Sequence, residues 1–129
     1  RGLQRFFAGK RQLLQTIGWA DGLIPAQATV NFYATLVKAI GVPEAQEDVR
    51  LFMVPGMAHC AGGSGPSSID YLGAIDNWVE TGKAPERIVA SNPPRGPERT
   101  RPLCAYPQVA QYAGSGSTDD ANNFRCALP

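Results

Sequence analysis

Val49-Arg50-Leu51-Phe52-Met53-Val54-Pro55-Gly56-Met57-Ala58-His59-Cys60 is the stretch on which the fold turns. Its first half is apolar except for Arg50 and has the length of a strand, and Pro55-Gly56 closes it. A glycine-rich loop then runs from Met57 to Pro66. Upstream, Val30, Tyr33, Ala34, Val37 and Ile40 recur at helical spacing, with Pro25 near the start. They predict a helix over 26–40 that Gly41-Val42-Pro43 stops. Before it, residues 12–18 read as a second short buried strand ending at Gly18, and Trp19-Ala20-Asp21-Gly22 as a turn. Downstream, Ile69, Leu72, Ile75, Trp78 and Val79 predict a helix over 68–81, with Gly82 as its C-cap. Residues 87–90 read as one more short strand, ended by Asn92-Pro93-Pro94.

Strand, turn, helix, strand, loop, helix is a βα alternation, so the expected class is α/β, with a parallel sheet and flanking helices. From Gly96 onward turn residues dominate and periodicity fades. The expected organisation is therefore an α/β core over 1–95 and an irregular, disulfide-closed tail over 96–129. Two or three strands are poor cover for a run as apolar as 51–54. The chain also opens at Arg1 rather than Met. Both features are read here as those of the C-terminal part of a larger fold, whose missing N-terminal segment supplies the other strands.

The bulk properties exclude several classes. The 129 residues carry a net charge of +1, 43% hydrophobic and 18% charged residues, with no basic or acidic block. This is a globular composition that argues against nucleic acid and against an anionic membrane surface as partners. No apolar run approaches the roughly 18 residues needed to span a bilayer. Of three cysteines, Cys104 and Cys126 bracket the tail. A disulfide between them would contribute on the order of 3 kcal/mol through loop closure. It would also indicate an oxidising compartment, secreted or periplasmic. Cys60 is left over, as a free thiol or half of a bridge to something else.

In open α/β sheets functional groups sit on loops beyond the carboxyl ends of the strands. Asp21 and His59 occupy two such loops, and adjacent parallel strands would bring them to one edge. An Asp there can fix the tautomer of a His that takes a proton from a serine. The order Asp then His fits the α/β-hydrolase arrangement, which places the serine upstream. No G-x-S-x-G occurs, and Ser64, Ser67 and Ser68 follow no strand in a sharp turn. Other polar residues have plainer readings. Ser67-x-x-Asp70 resembles a capping box. Asp76 and Glu80 fall on a solvated helix face, and Asp119 and Asp120 in a polar loop. Trp19 and Trp78 read as core. The glycine-rich loop fits neither phosphate-binding pattern, and one His beside one Cys offers no zinc set, so no metal or cofactor site is expected in this chain.

Pro55-Gly56-Met57-Ala58-His59-Cys60-Ala61-Gly62-Gly63 closely resembles the histidine motif of the tannase and feruloyl esterase family. Gly18-Trp19-Ala20-Asp21 with Leu23-Ile24-Pro25 is similar to its acid motif. Ala74-Ile75-Asp76-Asn77-Trp78-Val79-Glu80 with Gly82-Lys83-Ala84-Pro85 resembles a helix of the family, and Arg101-Pro102-Leu103-Cys104, Tyr106-Pro107 and Phe124-x-Cys126 its tail. The resemblance covers about residue 10 to 126. It departs at Ile17, where the family often has a His. It implies a serine esterase of aromatic acyl esters, such as gallates or hydroxycinnamates, with Asp21 as triad acid and His59 as base. It further implies a disulfide from Cys60 to a cysteine beside the nucleophilic serine, in the missing segment. A calcium site would belong to a lid that is also outside this chain. The chain alone is then expected to be inactive. The alternative is a non-catalytic interaction module derived from such an enzyme.

Overall fold

The computed structural model describes residues 2–129. In chain order it contains α1 (Gly2–Ala8), β1 (Leu13–Gly18), α2 (Ala26–Ile40), α3 (Val42–Asp48) and β2 (Val49–Val54). These are followed by β3 (Ser68–Ile69), α4 (Tyr71–Thr81), β4 (Arg87–Ser91), β5 (Thr100–Cys104), β6 (Val109–Tyr112) and β7 (Phe124–Ala127).

β1 and β2 form the expected parallel pair, in register from Leu13 opposite Val49 to Gly18 opposite Val54. Every residue of β2 is buried, as its apolar sequence requires of a strand covered on both faces. Arg50 is the exception in chemistry but not in burial. Its guanidinium donates to the carbonyls of Gln46, Val49 and Pro85 and to the Glu86 carboxylate, so the buried charge is both paired and hydrogen-bonded. On one face of the pair, Ile17, Leu51 and Met53 pack with Ala26 and Val30 of α2. On the other, Phe52 and Val54 pack with Met57, Ile88, Ala90, Leu103 and Ala105. Side chains alternating across each strand explain this division.

Several expectations are corrected. Pro43 does not only end α2. Gly41 takes φ of 94° and breaks the helix, and Pro43 then sits in the first turn of α3, where its missing N–H costs nothing. The predicted helix over 68–81 loses its first residues to β3, which pairs with Ser91 and Ala90. The strand over 87–91 forms but does not extend the parallel pair; it lies antiparallel between β3 and β5. The tail is not irregular. β5 pairs with β4 along its whole length, and β6 pairs with β7. The tail strands are short, β5 contains Pro102, and no clean alternation marks them, which is why turn chemistry masked them. The Cys104–Cys126 disulfide is present. A bridge between Phe52 and Ala105, and the Tyr106 N–H on the Leu51 carbonyl, join the tail to β2.

Candidate active site

β1 and β2 end side by side, and the two loops that leave them are joined by backbone contacts. The Trp19 N–H donates to the Val54 carbonyl at 3.0 Å, and the Ala20 N–H to the Met57 carbonyl at 3.1 Å. Gly18 is required at this junction, because a Cβ there would sit inside the Met57 carbonyl. The loop that carries His59 is also closed on itself. The Ala58 N–H donates to the Gly62 carbonyl, and the Gly65 N–H to the Gly56 carbonyl. Gly56, Gly62 and Gly63 have positive φ, a region that favours glycine. Buried Met57 anchors the loop in the core.

This framework brings Asp21 and His59 together. His59 Nδ1 lies 2.9 Å from Asp21 Oδ2. The other carboxylate oxygen, Oδ1, accepts the N–H groups of Leu23 at 2.8 Å and Ile24 at 2.9 Å. The Ile24 N–H is the main reason the Asp21 carboxyl is held below the ordinary aspartate range; burial opposes the shift, and His59 and Leu23 add to it. At neutral pH the carboxylate is therefore ionised. The carboxylate accepts from Nδ1–H, and in the neutral imidazole that tautomer leaves Nε2 as an acceptor. The Asp21 side chain is 4% exposed and that of His59 40%. The carboxylate is enclosed, while the imidazole reaches solvent.

Sequence reasoning located Asp21 and His59 but missed what positions them. The N–H groups of Leu23 and Ile24 leave only the Asp-Gly turn as a signal, and the contact between Gly18 and Met57 leaves none. Trp19 is half exposed rather than core, whereas Trp78 is fully buried. Cys60 stands exposed beside His59 with its thiol free and a φ of 62°. Tyr71, the first residue of α4, bonds Thr16 Oγ1 of β1 at 2.8 Å and so ties the segment after the His59 loop to the strand that leads to Asp21. Ser64 is exposed, Ser68 lies in β3, and neither hydrogen-bonds His59 among the described residues. No group of three or more His, Cys, Asp or Glu residues able to hold a metal ion occurs among the described residues. No described helix is long and apolar enough to cross a membrane.

A family model described as "Tannase and feruloyl esterase" matches residues 2–127. An uncharacterised esterase of Xanthomonas campestris pv. campestris is 37% identical over 96% of this chain and 27% of its own length. The mono(2-hydroxyethyl) terephthalate hydrolase of Piscinibacter sakaiensis is 44% identical over 87% of this chain and 19% of its own length. Among solved structures, feruloyl esterase B from Aspergillus oryzae superposes with a TM-score of 0.86 at 28% identity, covering 97% of this chain and 28% of that one. The chain thus spans between 19% and 28% of the length of these relatives.

Proposed function

The chain belongs to the tannase and feruloyl esterase family, and from that membership we propose that it supplies the acid and base of a serine esterase that works through an acyl-enzyme. The observation that carries the proposal is the 2.9 Å contact between His59 Nδ1 and Asp21 Oδ2, with the acid enclosed and Nε2 free. In this reading Nε2 takes the proton of a serine hydroxyl as its oxygen attacks the ester carbonyl. The imidazolium, stabilised by Asp21, returns that proton to the departing alcohol. Water, deprotonated by the same nitrogen, then releases the acid and restores the serine.

The nucleophile and its oxyanion hole are assigned to polypeptide outside these residues, on an α/β-hydrolase sheet that β1 and β2 continue. Two observations support that reading. Leu72 and Val79 of α4 are 82% and 60% exposed, which leaves apolar surface for further chain to cover. Cys60 is exposed and unbridged beside the base, where a disulfide would tie base to nucleophile. The substrates are aromatic acyl esters, the class that the names of the relatives describe. The Cys104–Cys126 bridge supports a secreted or periplasmic location. Calcium, which the resemblance to the family implies, is assigned in this reading to a lid outside this chain.

The test is an assay of the full gene product that carries this chain, with methyl ferulate as substrate. It should be hydrolysed, and His59→Ala should lower kcat by roughly a thousandfold or more. The 129-residue chain alone should give no turnover sensitive to a serine-directed inhibitor. Hydrolysis that survives His59→Ala in the full product would overturn the assignment.

A further inference from the structure

We propose that this protein carries a binding pocket for a single carboxylate borne on a flat apolar body, seated against Arg99, Arg101 and Phe124. The pocket is a cavity of about 390 Å³ that neither Asp21 nor His59 lines. That volume falls within the usual range for small-ligand sites.

Its chemistry is that of an incompletely neutralised cation pair. Arg99, just before β5, and Arg101, within it, both line the pocket. They share one carboxylate. Asp119 Oδ1 accepts from Arg99 Nε at 2.6 Å and lies 3.9 Å from Arg101 Nη2, the second distance being too long for a hydrogen bond. Arg101 Nη1 donates to the Thr100 carbonyl at 3.0 Å. The terminal nitrogens of Arg99 and Nη2 of Arg101 make no hydrogen bond to protein among the described residues. Two guanidinium groups thus share the single Asp119 carboxylate, an arrangement that matches a monoanion.

The site is also preorganised. The Arg101 guanidinium carbon stands 4.7 Å from the centroid of the Phe124 ring, a stacking geometry that holds the planar fork in place for two-point binding of a carboxylate. Phe124, Pro55 and Pro66 supply apolar walls for a flat body. The pocket reaches the His59 loop as well, since Gly56, Ser64 and Gly65 line it. Ester hydrolysis releases a carboxylic acid. The identification of the natural occupant as an aromatic acid product rests on the esterase reading above; the pocket itself does not.

The experiment is a titration of the full gene product that carries this chain, followed by amide NMR shifts, with benzoate as probe and neutral benzamide as its isostere. Benzoate should saturate, with shifts concentrated at Gly56, Ser64, Gly65 and Phe124. Benzamide should bind about tenfold more weakly, the loss of one charge-assisted pair. Arg99→Gln should weaken benzoate by a similar factor. Arg101→Lys, which keeps the charge but not the fork, should also weaken it. Shifts that fail to saturate or fall elsewhere, equal affinity for benzamide, or undiminished binding by folded Arg99→Gln would overturn the proposal. Should Arg99→Gln lose its fold, the benzoate and benzamide comparison on the unaltered chain decides. No ester turnover enters this readout, so its failure leaves the esterase reading untouched, and an inactive protein leaves the pocket testable.

Discussion

Asp21 accepts three hydrogen bonds, two from the backbone and one from His59. Its folded pKa lies below the ordinary 3.8, so the ionised form is stabilised by folding. That contribution is fully present above the unfolded value and is lost as pH falls through the depressed folded one. Asp21→Asn should therefore be less stable than the parent at pH 7. The gap should close below pH 3.8, read as urea midpoints across a pH series. A gap that widens in acid would contradict the assignment. Gly18 acts on the same pair from a distance. Gly18→Ala would drive a Cβ into the Met57 carbonyl and to 2.7 Å from the Ala58 carbonyl. It should cost about 2 kcal/mol, as overpacking does. The shift of the His59 ring proton on Nδ1 should also move, because the loop must yield; an unchanged ring signal would show that another contact sets the geometry. Asp21 and His59 were legible in the sequence because order and loop position mark them. The Ile24 N–H and the Met57 carbonyl were not, because any residue could supply those backbone groups.

α4 shows where element reading succeeds and where it slips. Its end was legible: Gly82 adopts the left-handed conformation with φ of 68° and its N–H returns to the Trp78 carbonyl. Its start was displaced, since Ser68 and Ile69 pair with β4, a long-range contact that no local pattern encodes. Asp70, rather than Ser67, is the cap, and it accepts the Gly73 N–H at 2.8 Å. A Cβ at position 73 would collide with that carboxylate, so the glycine and the cap are fitted to each other. Asp70→Ala should destabilise the protein by about 1 kcal/mol, while Ser67→Ala should change little. Equal losses from the two substitutions in denaturant titrations would restore the capping-box reading. The predicted stripe on α4 was only half right: Trp78 is fully buried, but Leu72 and Val79 face outward. Periodicity identifies an apolar face without saying whether the residues at hand suffice to cover it.

At the scale of the whole molecule, the question is whether the tail is an appendage or part of the core. β5 lies against β4 in register from Arg87 opposite Cys104 to Ser91 opposite Thr100. Leu103 and Ala105 belong to the same buried cluster as Phe52 and Val54, and the Tyr106 N–H bonds the Leu51 carbonyl of β2. The Cys104–Cys126 bridge, spanning 22 positions, then holds β7 to the end of β5. Loop closure of that size is worth about 3 kcal/mol in the chain-entropy account. Reduction should therefore lower the stability of the entire chain by roughly that amount, provided the tail and the parallel pair unfold together. The measurement is denaturant unfolding of the oxidised and reduced forms, followed both by the fluorescence of Trp19 and Trp78, neither of them in the tail, and by far-ultraviolet circular dichroism. Trp78 is fully buried on α4, outside the tail. A single reduced-form transition, shifted alike for both signals, is the expected result. A fluorescence midpoint that stays put while the dichroism midpoint falls would show instead that the tail melts by itself, and that the contacts of Ala105 and Tyr106 with β2 are too weak to couple it to the site.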